Sequence, residues 1–534
     1  MESQVQLADD YYLDNFLKLT KHALTWYDDL LSRDEHLWLS NFNELNRQAQ
    51  CLLVRVLARK GYWFRSDKLN YSEIPNQTIA LEQLASANFI ILSPTIDEQT
   101  LARELLTKPE LVKLFPSVSK SLSKTQFIEA LSSAVFTGEL EFTYLRLLQP
   151  EIIDVLLALF FANTHQDLSQ FVLSDLGLNK FEPYQLSKQL RFFDSREQVD
   201  QLLFISRLKQ EYLESDKKNL DSLSAIKRAL PVHGTHPYVN RKLDRLINDI
   251  ARDFERLEEY TFALDLFTMT TLPPSRERQA RIYDKLADYD RMRDIVTSMQ
   301  SSPNDVAERE VALKLSQRLS RIEGKKVSRI KNPEINTIEL ELDLSQQRVE
   351  LAVKEHYEQQ GWTVYFIENQ FLNGLFGLAY WDAIFAPIDG AFVNEYQYKP
   401  MDLYHSDFVG KRKTLVDNLT QQILSEGLSP CFKRYQQKLN TANPFVHWNS
   451  IDLPLLGYAS SAIPNHQLVA LFNILLSDLK LYRNGMPDLI AFKDSQFEWI
   501  EVKGPGDKLQ DNQWRWISEF KRLGIPFSLC LVNQ

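Results

Sequence analysis

The chain has 534 residues, 44% hydrophobic and 25% charged, with 31 Phe, 21 Tyr and 9 Trp, a length that exceeds one ordinary core and suggests about three or four domains. Its 16 Gly and 21 Pro are too few for a collagen-like or disordered chain. A net charge of −10 and three widely spaced cysteines, Cys51, Cys431 and Cys530, exclude a globally basic nucleic-acid binder, a disulfide framework and a thiolate zinc cluster.

Any nucleic-acid surface must therefore be a local basic patch on an acidic body. No apolar run reaches the ~18 residues of a membrane span, and no charged-then-apolar leader begins at Met1. Nothing points to a membrane or to secretion. The expected compartment is reducing: cytoplasmic, at the nucleoid if bacterial, or nuclear if eukaryotic.

In chain order, Asp14 to Leu31 places apolar residues at helical spacing. Glu44 to Lys60 predicts a second helix with Leu52, Leu53, Val56 and Leu57 inward and Gly61 as its cap. Leu122 to Leu131 reads as a small helix opened by Ser123, with Gln126 at the capping-box offset. Asp244 to Met269 and Ser275 to Met299 predict two more, separated by Leu272-Pro273-Pro274. The second carries the small-and-aromatic alternation of stacked helical repeats, in Ala280, Tyr283, Ala287 and Tyr289. Gly324 to Pro333, basic and polar, reads as a linker.

Beyond about residue 340 the texture becomes mixed α/β. Gln347 to Gln360 predicts a helix, Thr363 to Ile367 a strand, and an apolar helix follows Glu368 through Trp381. Helices continue to Leu481. The last 50 or so residues read strand (Asp488 to Phe492), turn (Lys493 to Gln496), strand (Phe497 to Lys503), helix (Asp507 to Leu523, capped by Gly524) and buried strand (Phe527 to Val532).

Alternation puts Trp499, Glu501 and Lys503 on one face of the second strand and Glu498, Ile500 and Val502 on the other. Antiparallel pairing brings the Asp488 carboxylate beside Glu501, with the Lys503 ammonium one pleat away. Phosphodiester cleavage needs that set: two carboxylates hold Mg²⁺ or Mn²⁺ against a phosphate oxygen, and the lysine orients or deprotonates water. Two acids alone bind a metal weakly, so a third oxygen ligand is expected elsewhere; the Val502 carbonyl is a further candidate. Among the nine histidines no HxxxH or HxH spacing offers a zinc site.

Pro487-Asp488, twelve residues, then Glu501-Val502-Lys503 resembles the PD-(D/E)XK nuclease pattern. The string from Glu501 to Trp514 is similar to the signature of the VRR-NUC branch. Tyr12 to Phe16, Leu53 to Gly61 with Trp63 to Tyr71, Glu368 to Asp382 and Met401 to Tyr404 extend the resemblance to the Fanconi-associated nuclease family over nearly the whole chain, most weakly between about 75 and 240. The resemblance implies a mostly α multidomain protein with a C-terminal α/β restriction-endonuclease-like nuclease domain. Its regions would be 1–145, helical, DNA-binding and SAP-like; 146–330, a TPR-like scaffold; and 340–534, the VRR-NUC domain. It implies 5′-flap endonuclease and 5′-to-3′ exonuclease activity on branched double-stranded DNA, in interstrand-crosslink repair. Glu368 would be the third acidic ligand, with Glu350 its competitor.

Arg55, Arg59, Lys60, Arg65 and Lys68 put five cations into fourteen residues, opposed only by Asp67, with Tyr62 and Trp63 among them. Phosphate contacts need such cations rather than base-reading geometry. The resemblance singles out Tyr12, Arg55 and Lys60 as the grip on duplex backbone. Taken separately, a Pro-Asp turn, a Glu-Val-Lys edge and a cationic helix face are ordinary structural features. Jointly, the first two at hairpin spacing point to catalysis. The rival readings are a Holliday-junction resolvase on the same fold, a TPR-like scaffold with a degenerate nuclease domain, and a restriction enzyme. Gln513 could face phosphate or water, whereas Gln510 reads as the polar outer face of the last helix.

Overall fold

The computed structural model describes residues 8–165, 180–328, 332–345 and 347–533. These residues group into two compact units, Met1–Leu178 with Phe193–Leu203, and Asn179–Phe192 with Phe204–Gln534. The expected scaffold and nuclease regions thus largely share the second unit.

In the first unit, the opening helix spans Tyr11–Trp26 and a 3-10 turn follows at Asp28–Leu30. A helix that the periodicity did not announce, Arg33–Glu44, starts at Ser32. Ser32 Oγ accepts from Glu35 N (3.2 Å) and Glu35 Oε2 accepts from Ser32 N (2.8 Å), which satisfies two otherwise orphaned donors. Arg47–Leu57 begins at Asn46, whose side chain accepts from Ala49 N (2.9 Å). That helix ends at Ala58, so Gly61, with φ +99°, shapes the loop beyond it rather than capping it. Phe16, Trp38 and Phe42 form its aromatic core, with Trp38 stacked on Phe42 at 5.5 Å. The helix Lys124–Glu129 carries the Ser123–Gln126 capping box read from the sequence. Three short strands, β1 (Trp63–Arg65), β2 (Ile90–Leu92) and β3 (Tyr144–Leu147), form an antiparallel sheet in the order β1-β3-β2. Strands of three or four residues are too short to show an alternation.

In the second unit, each of the two expected long helices is a pair: Pro237–Arg256 and Tyr260–Thr268, then Ser275–Lys285 and Tyr289–Ser301. The breaks are made by Glu258 (φ +61°) and Ala287 (φ +55°), non-glycine residues in the left-handed region that leave no glycine or proline signal. With Val306–Ile322, consecutive helices pack in series around Ala280, Met292, Val296, Ala312 and Leu315. Residues 329–331 of the expected linker lie outside the described residues; its described remainder carries neither helix nor strand.

The nuclease region is built on a five-stranded mixed sheet. Its strands are β4 (Thr337–Glu341), β5 (Thr363–Phe366), β6 (Leu489–Lys493), β7 (Gln496–Lys503) and β8 (Phe527–Asn533), in the order β4-β8-β7-β6-β5. β6 pairs antiparallel with β5 and β7, while β8 runs parallel to β7 and β4. β4 is absent from the sequence reading, although Ile338 and Leu340 alternate with polar residues there.

Two cores cover the two faces. Ile500 and Val502 face a small one with Val353, Tyr357 and Val364 from the helix Val349–Gln359 and β5. Trp499 faces a large one with Phe371 and Phe520, from Phe371–Ala379 and Asp511–Leu523. The alternation read from the sequence holds. Asp402, within the Met401 to Tyr404 match, forms a buried bidentate pair with Arg412 (2.7 and 3.0 Å). All three cysteines are buried and free. Among the described residues no helix is long and apolar enough to cross a membrane.

Candidate active site

The β6–β7 hairpin closes tightly, with Lys493 opposite Gln496 and the last paired position at Leu489 opposite Ile500. One residue further along, Asp488 stands opposite Glu501 at the end of the ladder. The Asp488 carboxylate is pinned there, accepting from Val502 N at 2.9 Å. Its backbone carbonyl accepts from Ile367 N (2.9 Å) and Glu368 N (3.1 Å), where the chain leaves β5. Glu368 is thereby drawn to the same end of the sheet in a left-handed conformation, φ +34°, which a non-glycine residue adopts only under outside constraint. Asn369 adds one: its Nδ2 donates to Glu368 Oε1 (3.2 Å), and its Oδ1 accepts from Met486 N (3.1 Å) just before Asp488.

Glu501 is 1% exposed. Its Oε1 accepts from Lys503 Nζ at 2.6 Å and from Gln513 Nε2. Gln513 in turn accepts from Gln510 N (3.0 Å), so Gln510 is the cap residue of Asp511–Leu523 and Gln513 the link from that helix to the site. Residues 507–510, expected as its first turn, precede the helix.

Burial, and then the neighbouring Asp488, push the Glu501 carboxyl up to about 8. Burial likewise pushes Asp488 up to about 6, with Glu350 and Glu368 adding to the rise against the lowering effects of the Val502 N–H and Lys503. Glu350, in the first turn of Val349–Gln359, adds to the rise of Asp488, and Glu368 adds to the rise of both Asp488 and Glu501. A group of hard oxygen donors with only one ammonium among them fits a divalent cation, whose charge would offset the repulsion. Among the described residues no three His, Cys, Asp or Glu side chains are already closed into a metal-binding group; one Glu501 oxygen is held by Lys503 and Gln513 instead. Beside Glu368 opens a cavity of about 220 Å³, lined also by Asn369, Asn373, His447, Arg483 and Asn484.

Three of the N-terminal candidates are held by carboxylates of the protein itself. Arg55 donates twice to Glu73 Oε1 (3.0 and 2.7 Å) and lies 3.9 Å over the Tyr12 ring. Tyr12 is 7% exposed and donates to the same carboxylate (2.8 Å). Arg65 is held by Asp67 (2.9 and 2.8 Å) and Glu110 (2.6 Å). These three side chains satisfy one another or nearby acids. Lys60 and Lys68 are exposed, with no ion pair among the described residues. Arg59 donates to the Lys68 carbonyl (3.3 Å) and lies 5.7 Å over the Tyr71 ring.

Comparison with known proteins bears on this geometry directly. Two family models match, FAN1, HTH domain over residues 10–91 and VRR-NUC domain over residues 426–534, the latter containing Asp488, Glu501 and Lys503. A Fanconi-associated nuclease 1 homolog from Pseudomonas aeruginosa is 32% identical, over 98% of this chain and 96% of that one. The chain belongs to the Fanconi-associated nuclease family. It is a nuclease of DNA that depends on divalent metal. Homologs from Arabidopsis thaliana (25% identical) and Oryza sativa (23%) also match along 98% and 99% of the nuclease, which spans 67% and 63% of their lengths. A crystal structure of paFAN1 bound to 2nt 5′ flap DNA with gap superimposes on 99% of the nuclease with a TM-score of 0.85 at 31% identity.

Asn369 and the Gln513–Glu501 contact are the parts of the site that sequence reasoning missed. For Gln513 a signal existed: Gln510 and Gln513 stand at the capping-box offset, which fixes where the second amide sits relative to β7.

Proposed function

We propose that this nuclease cuts one strand of branched or flapped double-stranded DNA, as a 5′-flap endonuclease and 5′-to-3′ exonuclease in interstrand-crosslink repair. Mg²⁺ or Mn²⁺ would be held by Asp488, Glu501, Glu368 and the Val502 carbonyl. The observation that carries this reading is the pair of half-buried Asp488 and buried Glu501, opposed across β6 and β7 with Lys503 on Glu501. The 5′ flap DNA bound by the similar paFAN1 supports the choice of substrate.

Bound, the divalent ion supplies positive charge to a non-bridging phosphate oxygen and to the in-line transition state. The protein's part is placement. The Val502 N–H fixes the Asp488 carboxylate, and Gln513 fixes Glu501. Lys503, on the strand face shared with Glu501, orients the attacking water and eases its deprotonation. Asn369 keeps Glu368 at the mouth of the site. The distorted duplex is read through its deformability rather than its base sequence. Residues 1–145 form the N-terminal DNA-binding region, with Lys60 and Lys68 best placed to meet phosphate; 146–330 form the TPR-like scaffold and 340–534 the nuclease domain.

Labelled 5′-flap, 3′-flap, nicked and four-way substrates, each with Mg²⁺ or Mn²⁺, test the reading. The wild type is expected to cut the 5′ flap strand near the junction, and Asp488→Ala to lose at least about a thousandfold in rate, as befits a residue holding the metal. Paired cuts in the four-way junction by a dimer would replace the reading with a resolvase. Undiminished cleavage by Asp488→Ala would remove the site altogether.

A further inference from the structure

The helix Phe371–Ala379 is buried along its whole length, and of its nine residues only Asn373 has a polar side chain. Asparagine is a poor helix former, and a buried amide costs stability unless its donors find partners. Here both N–H groups of one nitrogen are used. Asn373 Nδ2 donates to the Asn369 carbonyl and to the Arg483 carbonyl (2.8 Å), which exhausts its donor capacity. The helix that carries it is seated against a loop: a Cβ on Gly377 would stand 2.7 Å from Val446 Cγ2 and 2.9 Å from Asn443 Oδ1. Asn373 therefore projects from a platform with little room to shift.

The two carbonyls belong to the two turns that deliver acids to the end of the sheet. Asn369 follows Glu368, and its own side chain bonds Glu368 Oε1 (3.2 Å) and Met486 N (3.1 Å). Arg483 opens the turn that leads into Asp488. Trp516 Nε1 holds the same turn through the carbonyls of Tyr482 (3.1 Å) and Asn484 (3.2 Å). Glu368 and Asp488 lie more than a hundred residues apart in sequence, and one amide joins their turns. Glu368 is itself exposed and sits at φ +34°. A non-glycine residue keeps that conformation only while its surroundings hold it, and it relaxes when they let go.

We infer that Asn373 is a positioning residue for the divalent ion: by tying the Glu368 turn to the Asp488 turn, it sets the separation of these two carboxylates and with it the affinity of the site for metal. This role presupposes that Glu368 and Asp488 hold the ion, as proposed above. Asn373 acts through Glu368. Ligands held in place before the ion arrives bind it more tightly than ligands that must be gathered, and the groups behind them commonly contribute about ten- to hundredfold in affinity.

The test is Mn²⁺ binding to the DNA-free protein, followed by the paramagnetic resonance of the free ion and by the Mn²⁺-induced rise in melting temperature. Wild type is compared with Asn373→Ala, Glu368→Ala and the double variant. Asn373→Ala is expected to weaken Mn²⁺ binding about ten- to hundredfold, and Glu368→Ala by at least as much. The double variant should match Glu368→Ala within about twofold, because two residues acting through one contact do not add. In single-turnover cleavage of a 5′-flap DNA by Asn373→Ala, the half-saturating Mn²⁺ concentration should rise by the same factor. The rate at saturating Mn²⁺ should return to within about threefold of wild type, since no reacting group is removed.

Tyr380→Phe removes the hydrogen bond from Tyr380 to Thr420 (2.8 Å) at the other end of the same helix. It should lower the melting temperature and leave Mn²⁺ affinity within about twofold of wild type. Asn373→Ser is gentler on the fold, and its single hydroxyl serves at most one of the two carbonyls; its affinity should fall between wild type and Asn373→Ala. If Asn373→Ala does not fold, Asn373→Ser takes its place throughout. Mn²⁺ affinity that is unchanged in both Asn373 variants, or losses that add in the double variant, would overturn the inference alone. Mn²⁺ affinity unchanged in Glu368→Ala would instead remove the ligand assignment beneath it.

Discussion

At Gln513 a single amide serves both a helix and a site: its Oε1 accepts from Gln510 N (3.0 Å) while its Nε2 donates to Glu501. Groups that orient a metal ligand from behind are commonly worth about ten- to hundredfold in affinity or activity. Gln513→Ala is therefore expected to weaken the divalent-metal dependence of cleavage by that factor. It should also cost about 1 kcal/mol in the thermal unfolding of the nuclease region, from the lost cap. A metal titration that superimposes on wild type would show that the contact positions nothing. A second residue sets a pH limit. His22 is 8% exposed, packs edge-on against Phe160 at 4.8 Å, and is lowered by burial from 6.5 to about 4. The folded state holds this ring neutral and the unfolded state protonates it first, so its stabilising share is complete above about 6.5 and is lost as pH falls toward 4. At 1.36 kcal/mol per unit the difference approaches about 3 kcal/mol. Denaturant midpoints at about pH 7.5 and 4.5 should differ less in His22→Leu than in wild type; equal differences would refute the assignment.

Elements meet the site through their ends. Gly485, with φ +90°, carries the chain into β6 so close to the start of Asp511–Leu523 that a Cβ there would stand 2.7 Å from the carbonyl carbon and oxygen of Asn512. Backbone cannot move aside as a side-chain tip can. Gly485→Ala is expected to cost about 2–4 kcal/mol, from the left-handed conformation plus the clash, and to reduce cleavage by displacing Asp488. Thermal unfolding beside a flap-cleavage assay measures both, and a wild-type melting temperature would contradict the packing described. This arrangement also explains what could be read in advance. The β6–β7 hairpin and its facing acids were legible because Pro487, Asp488, Glu501 and Lys503 lie within one local unit, where strand alternation fixes direction. Glu368 joins from more than a hundred residues away, and only the family resemblance could bring it in. Glu258 and Ala287 break helices in the left-handed region without a glycine, so two repeats read as two helices instead of four. The basic cluster at Arg55 was legible as composition, yet Glu73 and Glu110, which neutralise Arg55 and Arg65, come from outside the window that suggested it. Charge density along a sequence counts cations; only the fold says which are spoken for.

Over the whole molecule, 61 basic residues face 71 acidic ones, so what matters is which charges remain unmatched and where. At the end of the nuclease sheet the charges crowded together are carboxylates. That excess ties the stability of the metal-free protein to pH. Burial, then neighbouring carboxylates, raise Glu501 from 4.5 to about 8 and Asp488 from 3.8 to about 6. A folded state that holds its protons more tightly than the unfolded one loses stability as pH rises through that interval, from near the unfolded values up to about 8. A divalent ion reverses the trend, because its ligands must be deprotonated and because binding to the folded state alone adds RT ln(1 + [L]/Kd), about 2.7 kcal/mol at a hundredfold excess over Kd. Melting temperatures in EDTA are therefore expected to fall between about pH 6 and pH 8.5 by more than in Glu501→Gln. The rise produced by Mn²⁺ should be larger at the higher pH, where protons no longer compete for the two carboxylates. Glu501→Gln should lose most of that metal-induced rise at both pH values. A gain from Mn²⁺ that is equal at both pH values, or retained in Glu501→Gln, would place the ion somewhere other than between β6 and β7.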